Sequence, residues 1–428
     1  MTIPELYDIY LAHPTVQTDS RKALHGHLFF ALKGDNFDGN QFAAQALANG
    51  AAYAVVDDAA VAINNQYILV EDALAILQQL ANYHRLQLAA DVIAVTGSNG
   101  KTTTKELLHA VLAAKYVTYA TEGNLNNHIG VPLTLLKVKA DAEKVIVEMG
   151  ANHIGEIAGY CAVANPSFGL ITNCGKAHLE GFGSIDGVRK AKGELYDHIR
   201  KFKGTVFRNA DLDYLAEMAH DIAEQVAYGT DGQAQLVGKS LEGNTLLDVA
   251  ILTAGMETTI HTQLVGSYNL PNVLAAVAVG RYFGMDIDTM KAAIEAYVPG
   301  NSRSQLLKKG SNTIILDAYN ANPTSMKLAL ENMASLQADN KWLLLGAMKE
   351  MGQESLAEHQ ALVDLAVALG FKNVLLTGSE FYDTEHPYPV FATSAQTRDY
   401  IAAHKPGNAS ILVKGSRGSK MEVVLEAF

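Results

Sequence analysis

The chain has 428 residues, 49% of them hydrophobic and 18% charged, and a formal net charge of −12. Its length gives roughly two to four globular domains with ample core, and its acidity excludes a general nucleic-acid binder. Nucleotides stay open, because they need only a few local cations. No apolar run approaches the ~20 residues of a membrane span, and Met1-Thr2-Ile3-Pro4-Glu5-Leu6 lacks the basic and apolar regions of a signal peptide. Cys161 and Cys174 form neither a metal-ligand pattern nor a disulfide framework. The expectation is a cytoplasmic monomer with no nucleic-acid partner and no membrane span.

Residues 1–88 hold short strand signals at Leu28-Phe29-Phe30-Ala31-Leu32, Tyr53-Ala54-Val55-Val56 and Ile68-Leu69-Val70, with alanine-rich helical stretches between them. Two loops flank the first strand: Thr18-Asp19-Ser20-Arg21 and Lys33-Gly34-Asp35-Asn36-Phe37-Asp38-Gly39. Together they could bind an anion and a sugar; singly, each reads as an ordinary turn.

Residues 89–300 open with the most informative stretch. The apolar run Val92-Ile93-Ala94-Val95 leads through Thr96-Gly97-Ser98-Asn99-Gly100-Lys101-Thr102-Thr103 into a helical pattern with Leu107, Leu108, Val111 and Leu112 on one face. Strand, glycine loop and helix together bind polyphosphate. The glycines let backbone N–H groups close around phosphate oxygens, and the helix N-terminus adds partial positive charge. Lys101 supplies a point charge, and the Thr102 hydroxyl can ligate Mg²⁺. The loop is a shortened Gly-x-x-Gly-Lys-Thr, with Val95 where the longer P-loop has its first glycine. The bland alternative is a glycine turn before a helix capped by Ser98 or Asn99.

Further strands are expected at Val145-Ile146-Val147 and Leu170-Ile171-Thr172, with a long helix from about Leu270 to Phe283. Glu148 follows the first of these strands, where a nucleotide-bound Mg²⁺ needs a hard oxygen ligand. His178 lies in the glycine-containing loop after the second. Lys192 sits in a helical segment, where a solvated lysine is the default. Asn269 and Asn272 share one helix face. Their amides suit a purine edge or a phosphate-bound partner, and N-terminal capping is the alternative.

Residues 301–428 alternate strands at Thr313-Ile314-Ile315-Leu316, Trp342-Leu343-Leu344-Leu345, Val374-Leu375-Leu376 and Ile411-Leu412-Val413 with helices. Short continuous apolar runs between helices indicate parallel sheets covered on both faces. Glu148, Asn173, Asp317, Gly346 and Lys414 come at or within a residue of strand ends, where open α/β sheets bind ligands. Asp317-Ala318-Tyr319-Asn320-Ala321-Asn322-Pro323 holds more hydrogen-bonding side chains than a helix cap requires.

Taken together, these motifs resemble the Mur ligase family over essentially the whole chain, and within it the branch that adds D-alanyl-D-alanine. The likeness also takes in Gly123-Asn124-Leu125-Asn126-Asn127, Ala177-His178-Leu179-Glu180, Ala191-Lys192-Gly193-Glu194 and Lys414-Gly415-Ser416-Arg417. The resemblance implies an α/β protein of three domains: a small N-terminal α/β domain (1–88) for the UDP-muramoyl substrate, a central P-loop-type parallel-sheet ATPase domain (89–300), and a C-terminal Rossmann-like domain (301–428). It implies an ATP- and Mg²⁺-dependent amide ligase that joins D-alanyl-D-alanine to UDP-N-acetylmuramoyl-tripeptide through an acyl phosphate. Lys101, His178 and Lys192 would be catalytic. Gly97, Ser98, Asn99, Gly100, Lys101, Thr102, Thr103, Asn269, Asn272, Arg303 and Asp317 would bind ATP. Asp19, Ser20, Arg21, Lys33, Asn126, Asn127, Tyr319, Asn320 and Asn322 would bind the substrates. Thr102, Glu148, His178 and Lys192, the last as a carbamate, would hold metal.

This chain departs from the family pattern in two places. Ser302 precedes Arg303 where glycine is usual, and Ala347 stands where aspartate is expected. Another amide ligase of the family, such as a folylpolyglutamate enzyme, and a nucleotide-gated P-loop protein without ligation chemistry remain as alternatives.

Overall fold

A computed structural model of the chain describes residues 1–428 except residues 23, 35, 242–244, 254–255 and 301. Asp35, in a stretch singled out above, therefore lies outside the described residues. Among the described residues, three larger sheets and a two-stranded ribbon carry the fold. The first sheet is parallel and runs in the order Val16–Gln17, Leu28–Phe30, Tyr53–Val56, Tyr67–Leu69. The ribbon pairs Lys33–Gly34 with Phe37–Asp38.

Strand Asp91–Thr96 lies inside the nine-stranded second sheet, between Phe168–Ile171 and Lys144–Glu148, parallel to both. It is buried from Val92 to Thr96, which is why it reads as a continuous apolar run. The register pairs Val95 with Glu148 on one side and Thr96 with Ile171 on the other, so the three strand ends stand level. One edge of this sheet differs from the all-parallel expectation. Leu236–Leu241, Leu246–Thr253 and Met256–Val265 pair antiparallel. In the last of these Ile260, Thr262 and Leu264 are buried while His261 and Gln263 are exposed. That is the alternation of a sheet with one solvated face, and a search for continuous apolar runs passes over it.

The third sheet runs in the order Gln305–Lys309, Asn312–Asp317, Ser410–Lys414, Lys341–Gly346, Asn373–Thr377, Val390–Phe391, antiparallel in its first pair and parallel thereafter. Helix Lys101–Ala113 buries Leu107, Leu108, Val111 and Leu112 and packs on helix Leu270–Tyr282. The latter is buried on nearly every side, as a helix apolar all round must be.

The two seams between the sheets differ in character. Helix Ala73–Gln87 packs on Gly130–Leu135 and Glu156–Ala164 of the central unit. One buried apolar cluster runs from Leu6 and Tyr10 through Leu77 to Val145 and Leu195, without a break between the first and second sheets. Within that seam His84 is buried, its Nδ1 3.0 Å from the Tyr7 hydroxyl and its Nε2 2.8 Å from the Val138 carbonyl. The third sheet has its own clusters, and of the buried residues of the central unit Val265 joins one of them.

Candidate active site

The phosphate loop is shaped by close approach. Gly97 has φ +141° and Gly100 φ +79°. A Cβ on Gly97 would lie 2.0 Å from Thr172 Oγ1, and one on Gly100 2.6 Å from Asn272 Oδ1. Gly100 is the N-cap of helix Lys101–Ala113, with no side-chain cap bond. Ser98 and Asn99 therefore do not cap the helix; both turn to the neighbouring strand-end loop. Ser98 Oγ donates to the Gly175 carbonyl at 2.9 Å and accepts from its N–H at 3.0 Å. The Asn99 N–H donates to Asn173 Oδ1 at 3.1 Å, and the Asn99 carbonyl accepts from Thr172 Oγ1 at 2.6 Å and Asn173 Nδ2 at 3.1 Å. This bracing leaves the first-turn N–H groups of the helix to face an anion. Lys101 Nζ donates to the Gly97 carbonyl at 2.7 Å. Its enclosed position pushes the ammonium below the ordinary lysine value; Glu148 pulls it back up, and Arg303 adds to the push.

Glu148 is buried and spans two donors. Its Oε2 accepts from Thr102 Oγ1 at 2.9 Å and its Oε1 from Asn126 Nδ2 at 2.7 Å. Among the described residues no three His, Cys, Asp or Glu side chains cluster as a metal cage. The Thr102 hydroxyl with the Glu148 carboxylate is instead a pair of hard oxygens beside a phosphate loop. That suits Mg²⁺, which keeps several waters and takes the rest of its shell from one or two carboxylates and phosphates. Asn269 and Asn272 are both buried. Asn269 Nδ2 donates to the Val265 carbonyl at 2.9 Å, Asn272 Nδ2 to Asn269 Oδ1 at 2.9 Å, and Thr104 Oγ1 to Asn272 Oδ1 at 3.1 Å. Asn269 stands at the N-cap position of helix Leu270–Tyr282 but makes no side-chain cap bond, so capping does not explain the pair.

The third sheet brings its strand ends to the same place. Asp317 is in register with Lys414, and the Lys414 ammonium donates to Asp317 Oδ2 at 2.5 Å. The Arg303 guanidinium lies 3.6 Å from the centre of the Tyr319 ring. Ser302, in front of it, has φ +57°. The serine thus takes the left-handed backbone that glycine would take without strain. Ala347 is buried, and its carbonyl accepts from the Ser416 and Ser419 hydroxyls at 2.6 and 3.0 Å. Two contacts join this unit to the strand-end loop of the central one. Lys176 pairs with Glu358 at 2.6 Å. His178 Nδ1 meets the Glu350 carboxylate at ion-pair distance but off the line of a hydrogen bond. The pairing holds Glu350 below the usual glutamate range, against its partial burial.

The phosphate loop, Glu148, the asparagine pair and the strand ends of the third sheet face one cleft of about 480 Å³. It is lined by Ser98 to Thr103, Asn126, Asn127, Glu148, His178, Asn269 and Asn272 on the central side. Arg303, Asp317, Tyr319, Asn320 and Asn322 line it on the other. Gly97 is not in the lining; its carbonyl is taken by Lys101. Lys192, on helix Ile185–Lys201, lies behind the cleft wall: it is 1% exposed, and its Nζ donates to the carbonyl of cleft-lining Ala151 at 3.3 Å. Burial, and then the charge of Lys101, push its ammonium down to about 7. The solvated lysine expected by default is not there.

The four candidates from residues 1–88, Asp19, Ser20, Arg21 and Lys33, are also absent from the cleft lining. Arg21 turns back on Asp19 through bonds of 2.8 and 2.9 Å. The Ser20 carbonyl accepts from Asn49 Nδ2, and Lys33, in the ribbon, pairs at 2.8 Å with Asp57, just past strand Tyr53–Val56. Conversely, Lys414, Asn173 and Tyr268 line the cleft without having been given a role. Lys414 and Asn173 carried a signal, since both end strands.

The chain matches three family models: "Mur ligase family, catalytic domain" over residues 14–85, "Mur ligase middle domain" over 95–280, and "Mur ligase, glutamate ligase domain" over 302–417. The UDP-N-acetylmuramoyl-tripeptide--D-alanyl-D-alanine ligase of Bacillus subtilis (strain 168) is 36% identical over 96% of this chain and 92% of its own length. This chain belongs to the Mur ligase family. The Escherichia coli (strain K12) Mur ligase with the same description is 35% identical over 99% of this chain and 95% of its own. Among solved Mur ligases, MurF from Acinetobacter baumannii superposes with a TM-score of 0.88 at 31% identity, covering 99% of this chain and 98% of that one. MurF ligase from Thermotoga maritima in complex with ADP also gives 0.88, at 27% identity, covering 98% and 97%. A Mycobacterium tuberculosis folylpolyglutamate synthase, at 15% identity and a TM-score of 0.62, shares the fold alone.

Proposed function

We infer that this chain is an ATP-dependent amide ligase that joins D-alanyl-D-alanine to UDP-N-acetylmuramoyl-tripeptide in peptidoglycan precursor synthesis, releasing ADP and phosphate. The observation that carries the reading is the single cleft, in which a phosphate loop faces Arg303, Asp317 and the Tyr319-to-Asn322 run. High-coverage relatives named for that reaction support it. The physical difficulty is to bring a carboxylate against a triphosphate. Lys101, the helix N-terminus and Arg303 neutralise the phosphates, and enclosure between two sheets orients the reactants. The tripeptide carboxylate attacks the terminal phosphorus as the bond to ADP breaks. The dipeptide amine then adds to the acyl carbon, loses its proton, and phosphate leaves.

In this reading residues 1–88 hold the UDP-muramoyl end through Asp19, Ser20, Arg21 and Lys33, residues 89–300 hold ATP, and residues 301–428 close over it. Asn126, Asn127, Tyr319 and Asn320 meet the peptide substrates. Magnesium supplies further charge neutralisation, with Thr102 and Glu148 as its holders and His178 with a carbamate of Lys192 as holders of a second ion. The lysine supports that assignment. Near neutrality half of a group pushed down to about 7 is the free amine, which adds to carbon dioxide with loss of a proton. The protein acts as a cytoplasmic monomer; no helix among the described residues is long and apolar enough to cross a membrane.

The test is ADP release by the purified chain with and without each substrate. Turnover is expected only with tripeptide and dipeptide together, and comparing diaminopimelate- with lysine-containing tripeptides identifies the third residue. ATP hydrolysis indifferent to both substrates would overturn the reading.

A further inference from the structure

Asn322 does more than begin a helix. Its Oδ1 accepts from the Ser325 N–H at 2.9 Å, and the Ser325 hydroxyl accepts from the Asn322 N–H at 3.1 Å, a capping box for helix Pro323–Ser335. With Oδ1 committed to the cap, only the NH₂ end of the Asn322 amide is left to point outward. It donates to Asn99 Oδ1 at 2.7 Å, across 223 residues of chain.

That contact settles which way the Asn99 amide faces. Its oxygen is taken by Asn322, so its Nδ2 turns away, and this nitrogen is buried with no hydrogen-bond partner. The Asn99 backbone is held independently by Thr172 and Asn173, so loop position and amide sense have separate causes. An unpaired buried donor is unfavourable and calls for an acceptor. The residue lines the same cleft as Lys101 and Thr102, where a bound nucleotide would bring anionic phosphoryl oxygens as acceptors.

We propose that Asn322 is a positioning residue: its cap-fixed amide orients Asn99 so that Asn99 Nδ2 donates to the terminal phosphoryl group, and only when the third unit is docked. The phosphate loop is thus completed by a helix cap on another unit. The inference rests on the ATP-binding part of the function proposed above, but its primary readout does not require ligation.

The test is a double-mutant cycle on the full chain, reading affinity for a non-hydrolysable ATP analogue with magnesium, and for ADP, by titration calorimetry. Asn322→Asp keeps a cap acceptor but presents only oxygens to Asn99, so the amide of Asn99 reverses. Asn322→Ser also keeps a good cap but does not reach Asn99, and it carries the test should the first variant fold poorly. Asn322→Asp and Asn99→Ala are each expected to weaken the analogue about tenfold, with ADP affinity within threefold of the parent. The double variant should be no weaker than Asn99→Ala alone. In ligation assays kcat should fall with them while KM for the dipeptide holds. Losses that multiply in the double variant, or equal losses for ADP and analogue, overturn the proposal, because either would mean that Asn322 acts only by holding the fold. A parent that binds the analogue but does not ligate would instead count against the ligase reading alone.

Discussion

Lys192 shows how far one buried side chain can be moved by its surroundings. Unfolded, its amine keeps a proton up to about pH 10.5; folded, burial and Lys101 push it down to about 7. Between those values the unfolded state binds the extra proton, so the lysine makes stability rise from pH 7 towards pH 10.5 and destabilises the fold most below pH 7. In buffer free of carbon dioxide, Lys192→Met should therefore stabilise the fold by up to about 4 kcal/mol at pH 7 and by almost nothing at pH 10.5. Urea melts at several pH values check this, and a difference that stays constant with pH would refute it. Lys192→Ala should lose ligation and regain part of it with short carboxylic acids, which replace the carbamate oxygens; full activity in the variant would remove the lysine from the mechanism. Ser302 is the second residue to test. At φ +57° it carries about 1–2 kcal/mol of left-handed strain, offset in a glycine by greater unfolded-state freedom. Ser302→Gly should leave the melting temperature within a few degrees and ATP affinity unchanged, and a tenfold affinity loss would show that the hydroxyl has a role of its own.

At the scale of elements, the phosphate loop was legible because its chemistry is local. Glycine, lysine and threonine at a strand-to-helix junction suffice, and the structure adds the reason for each glycine. Gly97→Ala should destabilise the fold by about 1–3 kcal/mol and weaken an ATP analogue more than tenfold, since Thr172 Oγ1 occupies the place of the new methyl. Calorimetry and thermal melts read both effects, and unchanged affinity would mean that the loop yields easily. Strand ends were legible for a related reason: Glu148 and Asp317 are polar where an apolar run stops. The antiparallel edge strands were not, because Met256–Val265 alternates burial and so never forms the run that marks its neighbours. Nor could sequence spacing join Asn99 to Asn322 or Asp317 to Lys414; those pairings come from docking and sheet order. The Asp19 and Lys33 loops fall between these cases. Their residues belong to the first unit, yet Asp19 pairs with Arg21 and Lys33 with Asp57, away from the cleft.

On the scale of the molecule, the two seams predict different mechanics. The first and second units share an unbroken apolar cluster, whereas the third meets the phosphate-loop side of the second through Asn322, Lys176 and His178. A chain cut after residue 300 should thus remain soluble and melt cooperatively, while one lacking residues 1–88 should aggregate because Val131, Leu135 and Ile157 of the central unit lose the cover of Leu77 and Leu80. Expression and scanning calorimetry of both pieces distinguish the outcomes, and equal solubility would contradict the asymmetry. Small-angle scattering of the whole chain should change when an ATP analogue and muramoyl substrate are added together. The polar seam also bears on the turnover cycle. Its bonds exchange for bonds to water at little net free energy, and the apolar contact across it comes from Val265, Leu179 and Leu246, so parting it uncovers less oily surface than parting the first seam and needs a smaller heat-capacity change. A turnover limited by that parting should give a nearly straight Arrhenius plot, with products leaving at each cycle while the interior stays dry.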